Sequence, residues 1–579
     1  MWRLLSFLPG IVFIAGPLVA APVEFGASVP ELVFKDIHYL PRTLDDLREQ
    51  RAYVLAFAAL SDAQAGDTLK ALDALQATCR EQAVVASVNV NSSDTIMETS
   101  EQAIRLEVGI TLLKDMSGAA TSALGVTCTP TVVVLDAERR LQFRGDLEGA
   151  RQALEAVLAG TPVTAHETPV NGAPIHLREV PEPARPVTFA EHIAPIVYKN
   201  CAECHRPGAS APFSLLTYGQ VSSRADMIQE VVLEERMPPW YGSRAHSGWT
   251  NERQLTQEQQ DLIAQWVRGG KQEGNLNFAP PKPEFPKTEW RIPEPDLVLT
   301  APKPFDLPAT GYIPYEYVQL PYQFPADTYV QGIDIRPKNP DVVHHANLVF
   351  VLPNQQYDGD HNFLTGYVPG GRPADVPSPV AMMIPKDAVL VLQIHYVTTG
   401  KLESDQMQVG IRYARGTVAK RVHYRIVRPK NEDLVIPAGD PFFRISAERT
   451  IDTDAVALAL FSHMHLRGRD MTFVAEYPDG RQETLLVVPN YSFDWQIAYL
   501  YPPVAKIFPK GTKIRTISHY DNSTFNPYNP DPGSEVVYGP QTMHEMNDAY
   551  VFYLDRDENL NLQIDPRTGQ ALQAVAQSN

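Results

Sequence analysis

Two proline-rich stretches cut this chain into three regions of different hydrophobic rhythm. The first runs from Thr161 to Pro186. The second holds Pro280, Pro281, Pro283 and Pro286 and continues through Pro293, Pro295, Pro302, Pro304 and Pro308. Proline fixes φ and lacks a backbone N–H, so neither stretch can lie inside a helix or a central strand. Proline accounts for 50 of 579 residues, about twice the usual ~5%, which favours turns and linkers over long helices. At ~150 residues per domain the length predicts about four domains. A hydrophobic share of 44% and a charged share of 20% exclude general disorder. The net charge of −18 argues against nucleic acid as a partner.

The amino terminus reads as a secretory signal peptide over 1–20. Arg3 supplies the positive end, Leu4 to Ala20 the apolar stretch and Leu18-Val19-Ala20 the cleavage site. A membrane anchor is the alternative, but the stretch is short for spanning and is broken by Pro9, Gly10, Gly16 and Pro17. The expected product is cleaved, exported and soluble in the periplasm of a Gram-negative bacterium.

Residues 24–160 alternate short apolar runs (Tyr53 to Phe57, Ala83 to Val90, Thr131 to Leu135) with a helical pattern at Leu69, Leu72 and Leu75. That alternation predicts an α/β domain. A linker over 161–186 follows. Residues 187–275 read as helical, with Thr188 as one cap and Thr256 with Gln259 as a capping box ahead of Leu262, Ile263, Trp266 and Val267. The proline-rich linker is placed at 276–308. Beyond it, strands of about five to nine residues separated by Pro, Gly, Asn and Asp read as two all-β sandwiches, 309–430 and 440–556. A polar tail is expected over 557–579. Asp555 to Asn561 hints at a calcium loop, yet Leu560 stands where the turn needs glycine.

The strongest single motif is Cys201-Ala-Glu-Cys204-His205, the attachment pattern for a c-type haem. The two thiols would form thioethers with the haem and His205 would ligate iron. With only four cysteines in the chain, chance expectation for the pattern is on the order of 0.001. A CxxC redox pair is the competing reading, and export with an adjoining histidine argues against it. Met237 in Arg236-Met-Pro-Pro-Trp240 is the expected second iron ligand, with packing as its plain alternative; Met227 and His246 are weaker candidates.

Histidines cluster in the β region. His344 and His345 adjoin a strand, His395 lies in Leu392-Gln-Ile-His-Tyr396, and His463 and His465 flank Met464. In a strand, residues two apart share a face and can chelate one metal, whereas adjacent His344 and His345 need a bulge or strand end to come together. With 15 histidines, each pair alone is within chance expectation. Imidazole suits Zn, Cu, Fe or Ni, and a methionine thioether tips the choice to copper.

Taken in order and context, His344-His345, the LQIHY segment around His395, His463-Met464-His465 and Glu545-Met546 resemble the copper type II, ascorbate-dependent monooxygenases. These are the peptidylglycine α-hydroxylating and dopamine β-hydroxylating enzymes. The resemblance covers roughly 295–565. It implies two jelly-roll-type sandwiches, each holding one copper across a solvent-filled gap. It assigns His344, His345 and His395 to an electron-storing copper, and His463, His465 and Met546 to the copper that works on O₂ and substrate. Met543 and His544 are near misses. Tyr550 matches a substrate-contacting tyrosine. Phe461 stands where peptide-amidating members carry a carboxylate-binding arginine, Asp548 replaces a companion asparagine, and the region has no cysteine for the disulfides of eukaryotic members.

The first domain resembles the thioredoxin-like redoxins through its βαβ pattern and Val126-Thr-Cys-Thr-Pro130-Thr, which looks like their cis-proline loop. Leu60-Ser-Asp-Ala-Gln-Ala65 replaces the CxxC, so dithiol exchange is not expected. Cys79 and Cys128 stay open between pairing, an exposed Cys128 thiol and two inert buried thiols. A docking or structural role, with a protein partner, is the expectation.

The expected whole is multidomain: a thioredoxin-like α/β domain, an all-α cytochrome c and two all-β sandwiches. Its expected function is monooxygenation of a small organic or peptide substrate with O₂, using two copper ions and one covalent haem c. Electrons would come through the haem from ascorbate or a periplasmic reductant. Copper handling, redox sensing and plain electron transfer without hydroxylation are the alternatives.

Overall fold

The structure is a computed structural model that describes residues 21–47, 50–79, 82–175, 180–285, 289–355 and 362–572. The expected signal peptide over 1–20 and residues 573–579 of the expected tail lie outside the described residues. Among the described residues no helix is long and apolar enough to cross a membrane. The chain divides into two compact units, 1–178 and 179–579.

The first unit is built on a seven-stranded sheet in which the strand Ala52–Ala58 is interior and buried along its whole length. It runs parallel to Ala83–Asn89 and antiparallel to Thr131–Asp136. Continuous apolar strands of this kind need cover on both faces, and Ala65–Cys79, Ile96–Leu106 and Leu147–Ala159 are the main helices of the unit. The Thr129–Pro130 peptide bond is cis.

In the second unit the helical stretch opens with Phe189–Ile193 and Ala194–Asn200 and closes with Gln257–Arg268. Both caps read from sequence form: Thr188 accepts from the Glu191 N–H, and Thr256 and Gln259 make a reciprocal capping box. The loop between these helices leaves the helical core. Trp240 and Trp249 are buried with Val427, Leu460, Met471 and Tyr499 of the second β region, and Thr250 N–H donates to the Leu500 carbonyl at 2.9 Å.

The first β region pairs a six-stranded sheet, centred on Thr328–Arg336 and Gln408–Tyr413, with a four-stranded sheet in the order Glu316–Gln323, Val389–Tyr396, Val343–Val351, Phe363–Tyr367. The second pairs a five-stranded sheet around Ala455–His463 and Asp548–Asp555 with a four-stranded sheet around Gly468–Glu476 and Lys513–Tyr520. Each encloses its own apolar core.

Three boundaries differ from the sequence reading. Leu297–Thr300, assigned to the 276–308 linker, is the edge strand of the first six-stranded sheet, because Pro295 and Pro302 flank it without interrupting it. His423–Val427, assigned to the first sandwich, pairs with Asp548–Asp555 of the second. The polar tail from 557 is packed in part. Leu562–Gln563 pairs with Thr417–Val418 and Ile564 is buried, an alternation with Leu560 that places apolar side chains on one face. In the supposed calcium loop the Lys420 ammonium donates to the carbonyls of Asp555, Arg556 and Glu558 at 2.7, 2.8 and 2.8 Å. A cation therefore already stands there.

Candidate metal centres

His345 and His395 face each other across the central pair of strands of the four-stranded sheet. The register shifts between Val343 and His345, and this bulge turns His344 to the same side as its neighbour. His344, His345 and His395 thereby offer ring nitrogens all within 4.8 Å of one another. The Nδ1 atoms of His344 and His345 are 3.1 Å apart, close to the ~3.2 Å separating two ligands at ~2.0 Å from one tetrahedral ion. His344 Nε2 lies 2.8 Å from Asp494 Oδ1. A carboxylate only accepts, so Nε2 carries the proton and the Nδ1 lone pair is free for a metal. His395 Nδ1 is buried without a hydrogen-bond partner, while its Nε2 stands 3.4 Å from Thr542 Oγ1.

The second set is fixed in the opposite sense. His463 ends its strand and His465 lies in the turn that follows, with ring centroids 5.2 Å apart. His463 Nδ1 donates to Gln496 Oε1 at 2.8 Å and His465 Nδ1 to the His544 carbonyl at 3.1 Å. Both rings therefore present Nε2, and His465 Nε2 is buried with no partner. Met546 is 7% exposed and lines the same small chamber as His345, His463 and His465, a space of about 30 Å³. Where the resemblance implies a solvent-filled gap, His345 of the first set and the second set line one small chamber. Glu545, fully buried, braces the turn by accepting from the N–H groups of His465 and Arg467 at 2.8 and 2.7 Å. Burial raises its carboxyl to about 8.

Burial also keeps these imidazoles neutral, as metal ligands must be. It lowers His395 to about 3 and His463 to about 4. His345 and His465 are pushed well down by burial first and by neighbouring histidines second.

One short segment touches both sets. Phe493 stacks on His344 at 4.7 Å and stands 5.9 Å from His465, Asp494 binds His344, and Gln496 binds His463. Trp495, between them, lies beside Gly370, where an added methyl would stand 3.5 Å from the Trp495 ring and 3.4 Å from Cys204 Sγ. None of these four residues was singled out from sequence. They sit in an irregular loop whose only signal is an aromatic and polar run, Phe493-Asp-Trp-Gln496.

Around the CxxCH motif the chain leaves Ala194–Asn200 in a tight turn, with His205 N–H donating to the Cys201 carbonyl at 2.9 Å. His205 Nδ1 donates to the Phe213 carbonyl at 3.1 Å, which frees Nε2 for iron. Burial lowers the His205 pKa and raises the Cys201 thiol to about 12. Two thiols and a tautomer-fixed imidazole on one turn fit a haem c. Met237 is half-buried after the helix Ala225–Leu233, its N–H bonded to the Val231 carbonyl. Met227 is 53% exposed on that helix, and His246 lies in the short turn Arg244–His246.

Tyr550 is buried opposite Phe461, and Asp548 is held by Arg428 at 2.7 Å. Met543 is 49% exposed. In the first unit, Asp62 occupies the segment expected to lack cysteines and accepts from Thr129 Oγ1, beside the cis proline, at 2.7 Å. Cys79 and Cys128 are both free; burial raises the Cys79 thiol.

No protein-family model matches this chain, and no curated protein matches it. Solved structures match about a quarter of it, at the amino-terminal end, and include thioredoxin-like proteins. A hypothetical protein from Sinorhizobium meliloti 1021 is 23% identical over 26% of this chain and 94% of its own, with a TM-score of 0.25. An uncharacterized conserved protein from Geobacillus kaustophilus is 20% identical over 27% and 93%, with a TM-score of 0.25. A putative thiol:disulfide interchange protein DsbE from Chlorobium tepidum is 17% identical over 24% and 99%, with a TM-score of 0.22.

Proposed function

We propose that this chain is an exported copper-dependent monooxygenase that hydroxylates a C–H bond of an organic substrate with O₂. The reaction would consume one substrate, one O₂, two electrons and two protons, and yield the alcohol and water. The observation that carries this reading is the pair of imidazole sets, His344, His345 and His395 in one and His463 and His465 in the other, that meet at one chamber through His345. His344 and His345 turn Nδ1 towards each other, while His463 and His465 present Nε2 near a buried thioether. Copper, when bound, supplies one-electron chemistry and O₂ activation. The chain's own residues hold it: His344, His345 and His395 in one set, His463, His465 and Met546 in the other. Asp494, Gln496 and the His544 carbonyl orient the rings, and Tyr550 and Phe461 line the chamber. Electrons would enter through a haem attached at Cys201 and Cys204, with His205 and Met237 as iron ligands.

Copper per haem in exported protein purified under copper-replete conditions tests the reading. Two coppers per haem support it; one points to copper storage, and none with haem intact leaves an electron carrier. Met546→Ala separates the first two, since it abolishes O₂-dependent product in an oxygenase and only weakens binding in a store.

A further inference from the structure

A second, larger cavity of about 290 Å³ lies where the helical region meets both β regions, near the lower end of the ~300–1,000 Å³ typical of small-molecule sites. Its walls include Phe363, Val422, Leu458, Phe461, Ile497 and Phe552, and Pro239 and Trp240 of the helical region close one side. The cavity and the histidine chamber share His345, Asn347, Phe363, Phe461 and Gln496. The partition between them is aromatic: Tyr550 lies 5.3 Å from Phe363, 5.7 Å from Phe461 and stacks on Phe552 at 6.0 Å. None of Cys201, Cys204, His205 or Met237 lines it, but Gly370 of its wall lies next to Cys204 Sγ, so a haem held at that motif would be a neighbour of this space.

Several polar groups of the cavity are already engaged. Arg291 is held by Asp334 and the Gly371 carbonyl, Arg253 by the Gly370 carbonyl with Glu203 at 3.8 Å, and Asp375 by Arg412. Asn347 donates to Gln393, and Gln496 is spent on His463 and the Phe493 carbonyl. Arg372 is exposed at the rim. Most of the wall is apolar, so an apolar molecule gains by leaving water, and an anion would have to compete with the carboxylates and carbonyls that already hold Arg253 and Arg291.

We propose that this cavity is the substrate site, and that it takes an uncharged, predominantly apolar organic molecule whose reactive carbon reaches the histidine chamber past Phe363 and Phe461. The assignment as substrate site rests on the copper reading above. The test uses the full-length, haem-containing, copper-loaded protein and two near-isosteric probes, 4-phenyl-2-butanone and 3-phenylpropanoate. Calorimetry is expected to show saturable binding of the ketone, at least tenfold tighter than the carboxylate. The ketone is expected to shift the Cu(II) paramagnetic resonance lines and leave the haem bands in place. Ala459→Phe, which fills the cavity from a buried strand position, is expected to weaken ketone binding tenfold or more with copper content kept. Leu458→Trp, at a half-buried wall position, gives the same readout should the first variant fail to fold. Equal or tighter binding of the carboxylate overturns the proposal. So does a ketone that moves the haem bands and not the copper lines. The calorimetric comparison is also read on copper-free protein, so a chain that binds no copper sinks the oxygenase reading while the preference for an uncharged ligand stands or falls separately.

Discussion

The bond between His344 Nε2 and Asp494 Oδ1, at 2.8 Å, joins a histidine of the first β region to a loop of the second. It keeps the proton on Nε2 and leaves Nδ1 as the nitrogen that a metal would take. The histidine ring in turn holds the Asp494 carboxyl below the ordinary carboxylate range. An asparagine at 494 can point its amide nitrogen at the ring and favour the wrong tautomer. Asp494→Asn is therefore expected to lower copper affinity at the His344 set about 10–100-fold. Competitive titration against a copper chelator reads the loss, and an altered Cu(II) resonance spectrum accompanies it. Unchanged affinity would remove Asp494 from the site.

Gln496 plays the corresponding part for His463. Gln496→Leu leaves the Nδ1–H buried without an acceptor and lets the ring turn over. Copper content is expected to fall selectively at the Met546-containing set, with the His344 set still filled. X-ray absorption checks this through the loss of sulfur scattering, and an intact copper–sulfur signal would contradict it.

Tyr499 lies 5.1 Å from Trp240 and 5.6 Å from Trp249, in edge-on contact with both. Tyr499→Ala opens a cavity where the helical region seats into the second β core. The expected loss is about 3–5 kcal/mol, seen as a lower melting temperature with haem still attached. A melting temperature within a degree of the parent would show that the two regions do not depend on this contact.

Lys114 is buried in the first unit, donating to Asn89 Oδ1 and the Asp94 carbonyl at 2.7 Å each. Burial lowers its pKa from 10.5 to about 8. Between those values the unfolded chain binds more protons than the folded one, so stability rises with pH across that window and is flat below it. Hydrogen exchange of Ala83–Asn89 should show protection, relative to Lys114→Met, growing from pH 8 to pH 10. Protection falling over that range would reverse the assignment.

What the sequence made legible is what local spacing encodes. The Thr188 and Thr256 caps, the turn that gathers Cys201, Cys204 and His205, and the apolar strand Ala52–Ala58 all follow from residues a few positions apart. The histidine sets needed more. The adjacency of His344 and His345 calls for a bulge or a strand end, but no residue type says which of the two the chain uses. Asp494 and Gln496 lie 150 and 33 residues from their partners, and nothing in a loop's composition carries that pairing. Trp240 read as part of a helical region's loop because burial partners, unlike periodicity, are not written nearby. The alternation of Leu560, Leu562 and Ile564 was a readable strand signal, masked by the polar residues around it.

The placement of Trp240 and Trp249 within another region's core bears on how such a chain can change over time. A domain joined by a tether can be exchanged by recombination for any other that performs the same task. This one cannot be removed without unroofing the fold beside it, since two indole rings and the bonds of Ser243, Thr250 and Asn251 to strands and loops near 487–500 would go with it. The 187–275 segment and its neighbour are therefore expected to be inherited as a unit, with residues 240, 249 and 499 changing in concert. A chain that lost Cys201 or Cys204 would still have to keep the segment around them.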